Sequence, residues 1–199
     1  MNVLAAYNKR ISLFRKHGYD IAKARDFIIR KAGLLTASGP ILEFATGSGH
    51  MAIALAKRDI KCVSFDSDGD ALRTAGSNLR NMGLSRFVSL KRMDAGNVPY
   101  KDDSFDTVVS VNFIHHTDDA AGCVSEMVRI ARSKVVIADF NKRGFMTADK
   151  VHRSEGGRHE RSASTMDEVK KLLARSGMEV KVYRDKCQTV LVSTKRRKK

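Results

Sequence analysis

The run Ile41-Leu42-Glu43-Phe44 enters a turn carrying Gly47 and Gly49 and leaves it as a helical stretch from about Ser48 to Arg58. This junction constrains the fold more than any other part of the sequence. A strand-length run that is almost wholly apolar, rather than alternating, belongs to a strand covered on both faces. A helix straight after it carries the chain back to begin a parallel neighbour, because parallel strands cannot be joined by a tight turn. The alternation repeats downstream. Strands are expected over Lys61–Phe65, Phe87–Lys91, Asp106–Asn112 and Lys134–Asp139, with helices over Asp68–Met82 and Asp118–Arg132. The expected architecture is a doubly wound, mostly parallel α/β sheet with helices on both faces.

The flanks read differently. Residues 5–34 are helical in two pieces broken near His17-Gly18, with Ile21, Ala24 and Ile28 on one buried face and Phe27 beside them. Ser38-Gly39-Pro40 closes that segment. A charged, glycine-containing stretch over 141–164 reads as loop. Thr165 N-caps a helix to Ser176, with Asp167 and Glu168 in its first turn. Glu179–Tyr183 and Thr189–Ser193 form a hairpin turning near Asp185-Lys186, which adds an antiparallel strand at one edge. The 199 residues are expected as one domain, with a helical cap over 1–39, a core over 40–194 and a basic tail over 195–199. That length buries a sizeable core without disulfides. No apolar run approaches the roughly 20 residues of a membrane-spanning helix. The N-terminus breaks into charge too early for a secretory signal. Cys62, Cys123 and Cys187 lie far apart, which fits reduced thiols in a cytoplasmic protein rather than a disulfide framework or a metal knuckle.

Sheets of this kind bind ligands beyond the carboxyl ends of their strands, where strand order reverses. Gly47 to Ala52 fits the pattern G-x-G-x-x-A, in which the backbone approaches a dinucleotide closely. Alone, the pattern also fits a plain turn. Asp66 ends the second strand 19 positions after Gly47, the place of an acid on ribose hydroxyls. A carboxylate accepts from both hydroxyls of a cis-diol, each bond contributing roughly 1.5–3 kcal/mol. Asp66 and Asp68 also suit a helix cap. Asp94, after the third strand, suits an exocyclic amine or an Asx-turn.

The segments ILEFATGSGH, VSFDSD, RMDAGNVPYKDDSFDTVV and SVNFIHH, in this order and spacing, resemble class I S-adenosylmethionine-dependent methyltransferases. They most resemble the ubiquinone/menaquinone-biosynthesis-like branch. The resemblance covers residues 41–139, with a weaker match in the terminal helix and hairpin. It implies a Rossmann-like sheet of seven strands with the last antiparallel, S-adenosyl-L-methionine as cofactor, and methyl transfer to a small molecule. On this resemblance Glu43 and the loop of Ala45, Thr46, Gly47, Ser48 and Gly49 hold the methionine end. Asp66, with Ser67 beside it, takes the ribose hydroxyls. Asp94 faces the adenine amine with Ala95 alongside, and Asn112 and Phe113 line the floor beside the sulfonium. The chain departs from the family at Ala45, where glycine is usual and alanine fits if φ is negative. It departs again at Ala131-Arg132-Ser133-Lys134, which lacks the usual Gly-Gly.

Methyl transfer needs no protein nucleophile, but an acidic acceptor calls for a base. His116, with Asp139 at the end of the fifth strand, is the catalytic candidate. His115 joins His152, Glu155 and His159 of VHRSEGGRHERSAS as candidate substrate contacts. No metal is expected in that segment. On one helix its histidines would stand about 10 Å apart, and Gly156-Gly157 argues against a helix. Tyr7 and Tyr19 are expected to pack at the cofactor's edge. The charge of +15 is uneven: residues 1–40 carry +6, 41–139 carry −1 and 140–199 carry +10. Basic ends suit nucleic acid or an anionic surface, and equally solvated helix faces and a tail. SVNFIHH is not the Asn-Pro-Pro-Tyr type of amino-directed nucleic-acid methyltransferases, which favours a small-molecule acceptor. The competing readings are an RNA-directed methyltransferase using the basic ends, an NAD-dependent oxidoreductase, and a non-catalytic binder of the same fold. Against the oxidoreductase, the chain lacks an evident substrate domain and a Tyr-x-x-x-Lys pair.

Overall fold

The computed structural model describes residues 3–37 and 39–195. Helices α1 (Val3–Lys16) and α2 (Ile21–Ala32) precede β1 (Ile41–Phe44), α3 (His50–Ala56), β2 (Cys62–Asp66), α4 (Gly69–Asn81) and β3 (Val88–Arg92). Then come β4 (Phe105–Val111), α5 (Ala120–Ile130), β5 (Ala131–Phe140), α6 (Lys142–Ser154), α7 (Met166–Arg175), β6 (Met178–Arg184) and β7 (Gln188–Lys195). The seven strands lie in the order β3-β2-β1-β4-β5-β7-β6. Strands β1 to β5 run parallel, and β7 runs antiparallel between β5 and β6. The order reverses between β1 and β4, so the crevice between their carboxyl ends is where this sheet offers a site.

Alternation along the central strands feeds two cores. In β4, Val109 and Val111 pack with Ile28 and Ile29 of α2 and with Met51 and Leu55 of α3. Val108 points the other way, toward Val124 and Met127 of α5 and Val169 and Leu173 of α7. The cap expected over 1–39 therefore divides. Helix α2 belongs to the sheet's face, while α1 packs on α4 and α6 beyond the strand tips. Asp20 caps α2 by accepting from the Lys23 amide. Thr165 caps α7 as expected and, with Glu168, forms a full capping box.

Two sequence expectations are corrected. The stretch after β5 is not all loop, because Lys142–Ser154 forms α6. Asn141 starts it, its Oδ1 accepting from the Arg143 and Gly144 amides. The high charge hid an apolar stripe of Ala148 and Val151, which packs with Phe14, Tyr19 and Phe140. The helix over Asp118–Arg132 ends at Ile130, and β5 begins at once at Ala131, three residues before Lys134. The helix thus passes directly into the strand without the usual Gly-Gly link, and the ladder shifts register between Phe105 and Thr107.

Of the basic tail, Lys195 ends β7 and its ammonium pairs with Asp103, while 196–199 lie outside the described residues. Ser38 of the expected breaker also lies outside them. Among the described residues no helix is long and apolar enough to cross a membrane. The three cysteines are buried and unpaired.

Candidate active site

The loop after β1 forms a cradle. Its chain follows a run of left-handed conformations, with φ of 57° at Ala45, 51° at Gly47 and 84° at Gly49. The Thr46 amide donates to the Phe65 carbonyl at 2.8 Å, and the Gly47 amide donates to Asp66 Oδ2 at 2.9 Å. Asn78 Nδ2 holds the Ser48 carbonyl at 3.0 Å from α4. A side chain at Gly49 would press on Ala75, whereas one at Gly47 would meet nothing of the protein. The expectation of a negative φ at Ala45 is overturned. Ala45 takes the left-handed conformation, which costs roughly 1–2 kcal/mol for a residue with a Cβ.

Glu43, at the end of β1, is 2% exposed. Its Oε2 accepts from Ser64 Oγ at 2.5 Å and Thr46 Oγ1 at 3.4 Å, and burial still pushes its carboxyl up to about 7. Arg25 of α2, 5% exposed, donates to the Tyr19 hydroxyl at 2.8 Å. Tyr7 stacks on His50, its hydroxyl 3.1 Å from Nδ1. Burial raises Tyr7 to about 12. Burial, then the charges of Arg25 and Arg10, lower His50 to about 3.

Over the strand tips lies a cavity of about 180 Å³. Its floor takes Glu43, Ala45, Thr46, Gly47, Ser48 and Asn112 from the expected cofactor set. Its far wall and roof take His115, His116, His152 and His159, together with Arg10, Phe14 and Tyr19. Gly49, Asp66, Ser67, Asp94, Ala95 and Phe113 of that set lie outside the cavity lining. Asp66 braces the cradle through Gly47 and also accepts from the Asp68 amide at 3.1 Å. Asp68 caps α4. Asp94 closes an Asx-turn on the Gly96 amide at 2.8 Å, the local alternative weighed for it.

The histidines sort themselves in a way the sequence did not suggest. The sequence grouped Asp139 with His116, but Asp139 bonds His115 instead. His115 Nδ1 lies 2.5 Å from Asp139 Oδ1, and its amide donates to Oδ2 at 3.1 Å. Both residues are 2% exposed. His116, one position on, leaves the short helical turn on the exposed side. Burial of its ring and the neighbouring His115 and His159 lower it to about 4. Because α6 ends at Ser154 and the chain turns back through Gly156 at φ 82°, His152 and His159 stack with ring centroids 4.8 Å apart. Glu155 does not line the cavity. It is tied to Arg10 Nη1 at 2.6 Å, and Arg10 Nη2 also reaches His152 Nε2 at 3.3 Å.

Residues 42–138 match the family described as a methyltransferase domain. Over that segment the chain is similar to methyltransferases. Ajmaline N-methyltransferase of Rauvolfia serpentina is 33% identical to it over 98 residues, 49% of this chain and 34% of that protein. Phosphatidylethanolamine N-methyltransferase of Cereibacter sphaeroides is 30% identical over 103 residues, 51% of this chain and 50% of that one. The chain thus spans between a third and a half of the length of these relatives. Among solved structures, a possible histamine N-methyltransferase from Thermotoga maritima superposes with a TM-score of 0.68 at 18% identity, covering 96% of both chains. A SAM dependent methyltransferase from Aquifex aeolicus gives 0.66 at 18%, covering 85% of this chain and 88% of the other. At that identity the likeness is one of fold, which is the Rossmann-like methyltransferase fold.

The resemblance implies S-adenosylmethionine as cofactor, and the donor set of the cavity suits its amino-acid end. Glu43 offers a buried carboxylate to an ammonium. Arg25 and Asn112 line the cavity, and Arg25 Nε and Asn112 Oδ1 are buried without a hydrogen-bond partner among the described residues. Buried polar atoms left unpaired point to a missing ligand. Sequence reasoning missed Arg25, Arg10 and His50. Arg25 carried a readable signal, since it interrupts the apolar stripe of Ile21, Ala24 and Ile28 with a charge. Arg10 and His50 carried none.

Proposed function

We propose that the protein is an enzyme that transfers a methyl group from S-adenosylmethionine to a small-molecule acceptor bound under α1 and α6. The observation that carries this reading is the pair of unpartnered buried atoms, Arg25 Nε and Asn112 Oδ1, in the same cavity as Glu43 and the cradle. When bound, the cofactor supplies a methyl group on a sulfonium, open to in-line displacement. The protein's own work is to orient and to exclude water. Glu43, Thr46, Gly47, Ser48 and Arg25 hold the amino-acid end, Asp66 and Asp94 the adenosine, and Asn112 and Phe113 the floor between. His115, fixed by Asp139, and His116 offer polar contacts to the acceptor, while Phe14 and Tyr19 exclude water. Residues 1–199 act as one unit in this reading, because α1, α2 and α6 contribute to one cavity. The names of the relatives above, which methylate nitrogen, support an amine acceptor over the quinone-precursor type that the resemblance suggested. Three unpaired thiols suit a cytoplasmic setting.

Calorimetry with S-adenosylhomocysteine tests the reading. Binding is expected, and Asp66→Asn weakens it roughly 10- to 100-fold, the equivalent of one charge-assisted bond. Binding of NAD with no response to S-adenosylhomocysteine overturns it.

A further inference from the structure

Two imidazoles on the cavity wall face each other nitrogen to nitrogen. His115 Nε2 lies 3.1 Å from His159 Nε2. The other nitrogen of each ring is turned to a carboxylate, His115 Nδ1 to Asp139 and His159 Nδ1 to Asp149 Oδ1, the latter at 3.2 Å. Ionised carboxylates only accept hydrogen bonds. Those of Asp139 already accept from the His115 and Phe140 amides, and Asp149 accepts from Arg161. Both Nδ1 atoms therefore carry protons. In the neutral tautomers each ring then turns a bare Nε2 toward the other. At 3.1 Å the two nitrogens need a proton or a metal cation between them.

Two imidazoles on a tetrahedral ion, with bonds of about 2.0–2.1 Å, hold their nitrogens about 3.3 Å apart. The observed separation is close to that. A carboxylate on the far nitrogen of each ring is also the arrangement that orients histidines on metals. A third imidazole is at hand: the ligand atoms of His115, His116 and His159 all lie within 4.8 Å of one another, and His116 is exposed enough to swing inward. We infer that His115, His116 and His159 bind one divalent transition ion of the zinc class, with its fourth position open to the cavity. Three imidazoles suit zinc, cobalt, nickel or copper and not magnesium or calcium. The sequence argument against a metal concerned His152, Glu155 and His159 on one segment. The fold pairs His159 with residues 44 positions away instead. The inference does not depend on methyl transfer, since three nitrogens bind a metal whatever the cavity does.

The test is titration of chelator-treated, tag-free protein with Co²⁺, read by visible d–d absorption and by metal analysis. One tetrahedral Co²⁺ per chain is expected, displaced by Zn²⁺ and indifferent to Mg²⁺. His159→Ala abolishes the tetrahedral spectrum. His116→Ala, at an exposed ring that does not threaten folding, removes one nitrogen and converts the spectrum to a weaker, five- or six-coordinate form. Asp149→Asn, a positioning change, weakens Co²⁺ roughly 10- to 100-fold and leaves the spectral shape intact. A wild-type chain that binds no Co²⁺ overturns the inference and leaves a shared proton between the rings. Co²⁺ binding unaltered by His159→Ala and His116→Ala overturns it as well. Calorimetry with S-adenosylhomocysteine on the same samples reports folding and tests the methyltransferase reading separately, because its expected contacts include none of the three histidines.

Discussion

The cradle under the cavity and the roof over it are held together across very different sequence distances. Gly47 meets Asp66 19 positions away, whereas Arg10 meets Glu155 across 145. The cradle is a loop pinned by the two strands that flank it, so its shape follows from the sheet. The roof is α1 and α6 laid against each other and against Phe140. The cradle lines the cavity with backbone from Ala45 to Ser48 and one buried acid, Glu43. The roof and far wall present side chains of several kinds: Arg10, Phe14, Tyr19 and four histidines. In the proposed reading, that difference separates what holds the cofactor from what holds the acceptor.

The comparison breaks most readily at Gly144, where α6 leaves β5. A Cβ there would collide with the Cys187 carbonyl and crowd the Phe140 ring. Gly144→Ala is expected to destabilise the chain by about 3 kcal/mol, because backbone cannot move aside as a side chain can. Denaturant unfolding measures it, and hydrogen exchange should place the loss in α1 and α6 with the cradle still protected.

The cradle has its own signature in pH. Burial raises Glu43 from the ordinary 4.5 to about 7, so the folded chain holds this proton more tightly than the unfolded one. Its contribution to stability is fully present below pH 4.5 and is lost as pH rises through about 7, a change of about 3 kcal/mol. Glu43→Gln should flatten that slope between the two values in unfolding measured against pH. A variant that keeps the wild-type slope would place the titration elsewhere.

Ala45→Gly sharpens the same wall. It relieves a left-handed alanine at φ 57° and should stabilise the protein by about 1 kcal/mol, after the greater unfolded-state freedom of glycine is subtracted. The smallest effect belongs to the roof. Arg10→Ala removes an ion pair whose side chains are both 37% exposed. It should cost about 0.5 kcal/mol by thermal denaturation. A much larger loss would mean that the roof depends on Arg10's contact with His152.

Legibility followed the same division. The strands of the sheet and the turn after β1 could be read, because apolar runs and glycines act locally. Helix α6 could not, since four cationic residues in thirteen masked a stripe whose burial depends on Phe14 and Tyr19, more than a hundred positions earlier. The pairing of Asp139 with His115 rather than His116 turned on a single step of a short helical turn, which one-dimensional spacing does not resolve.

By itself the sequence determined the layered α/β sheet, the place of its crevice and the acids at its strand tips, because each rests on periodicity and turn chemistry within a few residues. Tertiary structure alone decided which histidine Asp139 holds, which ring His159 faces and that Arg25 looks into the cavity. Those are contacts between segments far apart along the chain, and they come into being only when α1 and α6 dock on the strand ends.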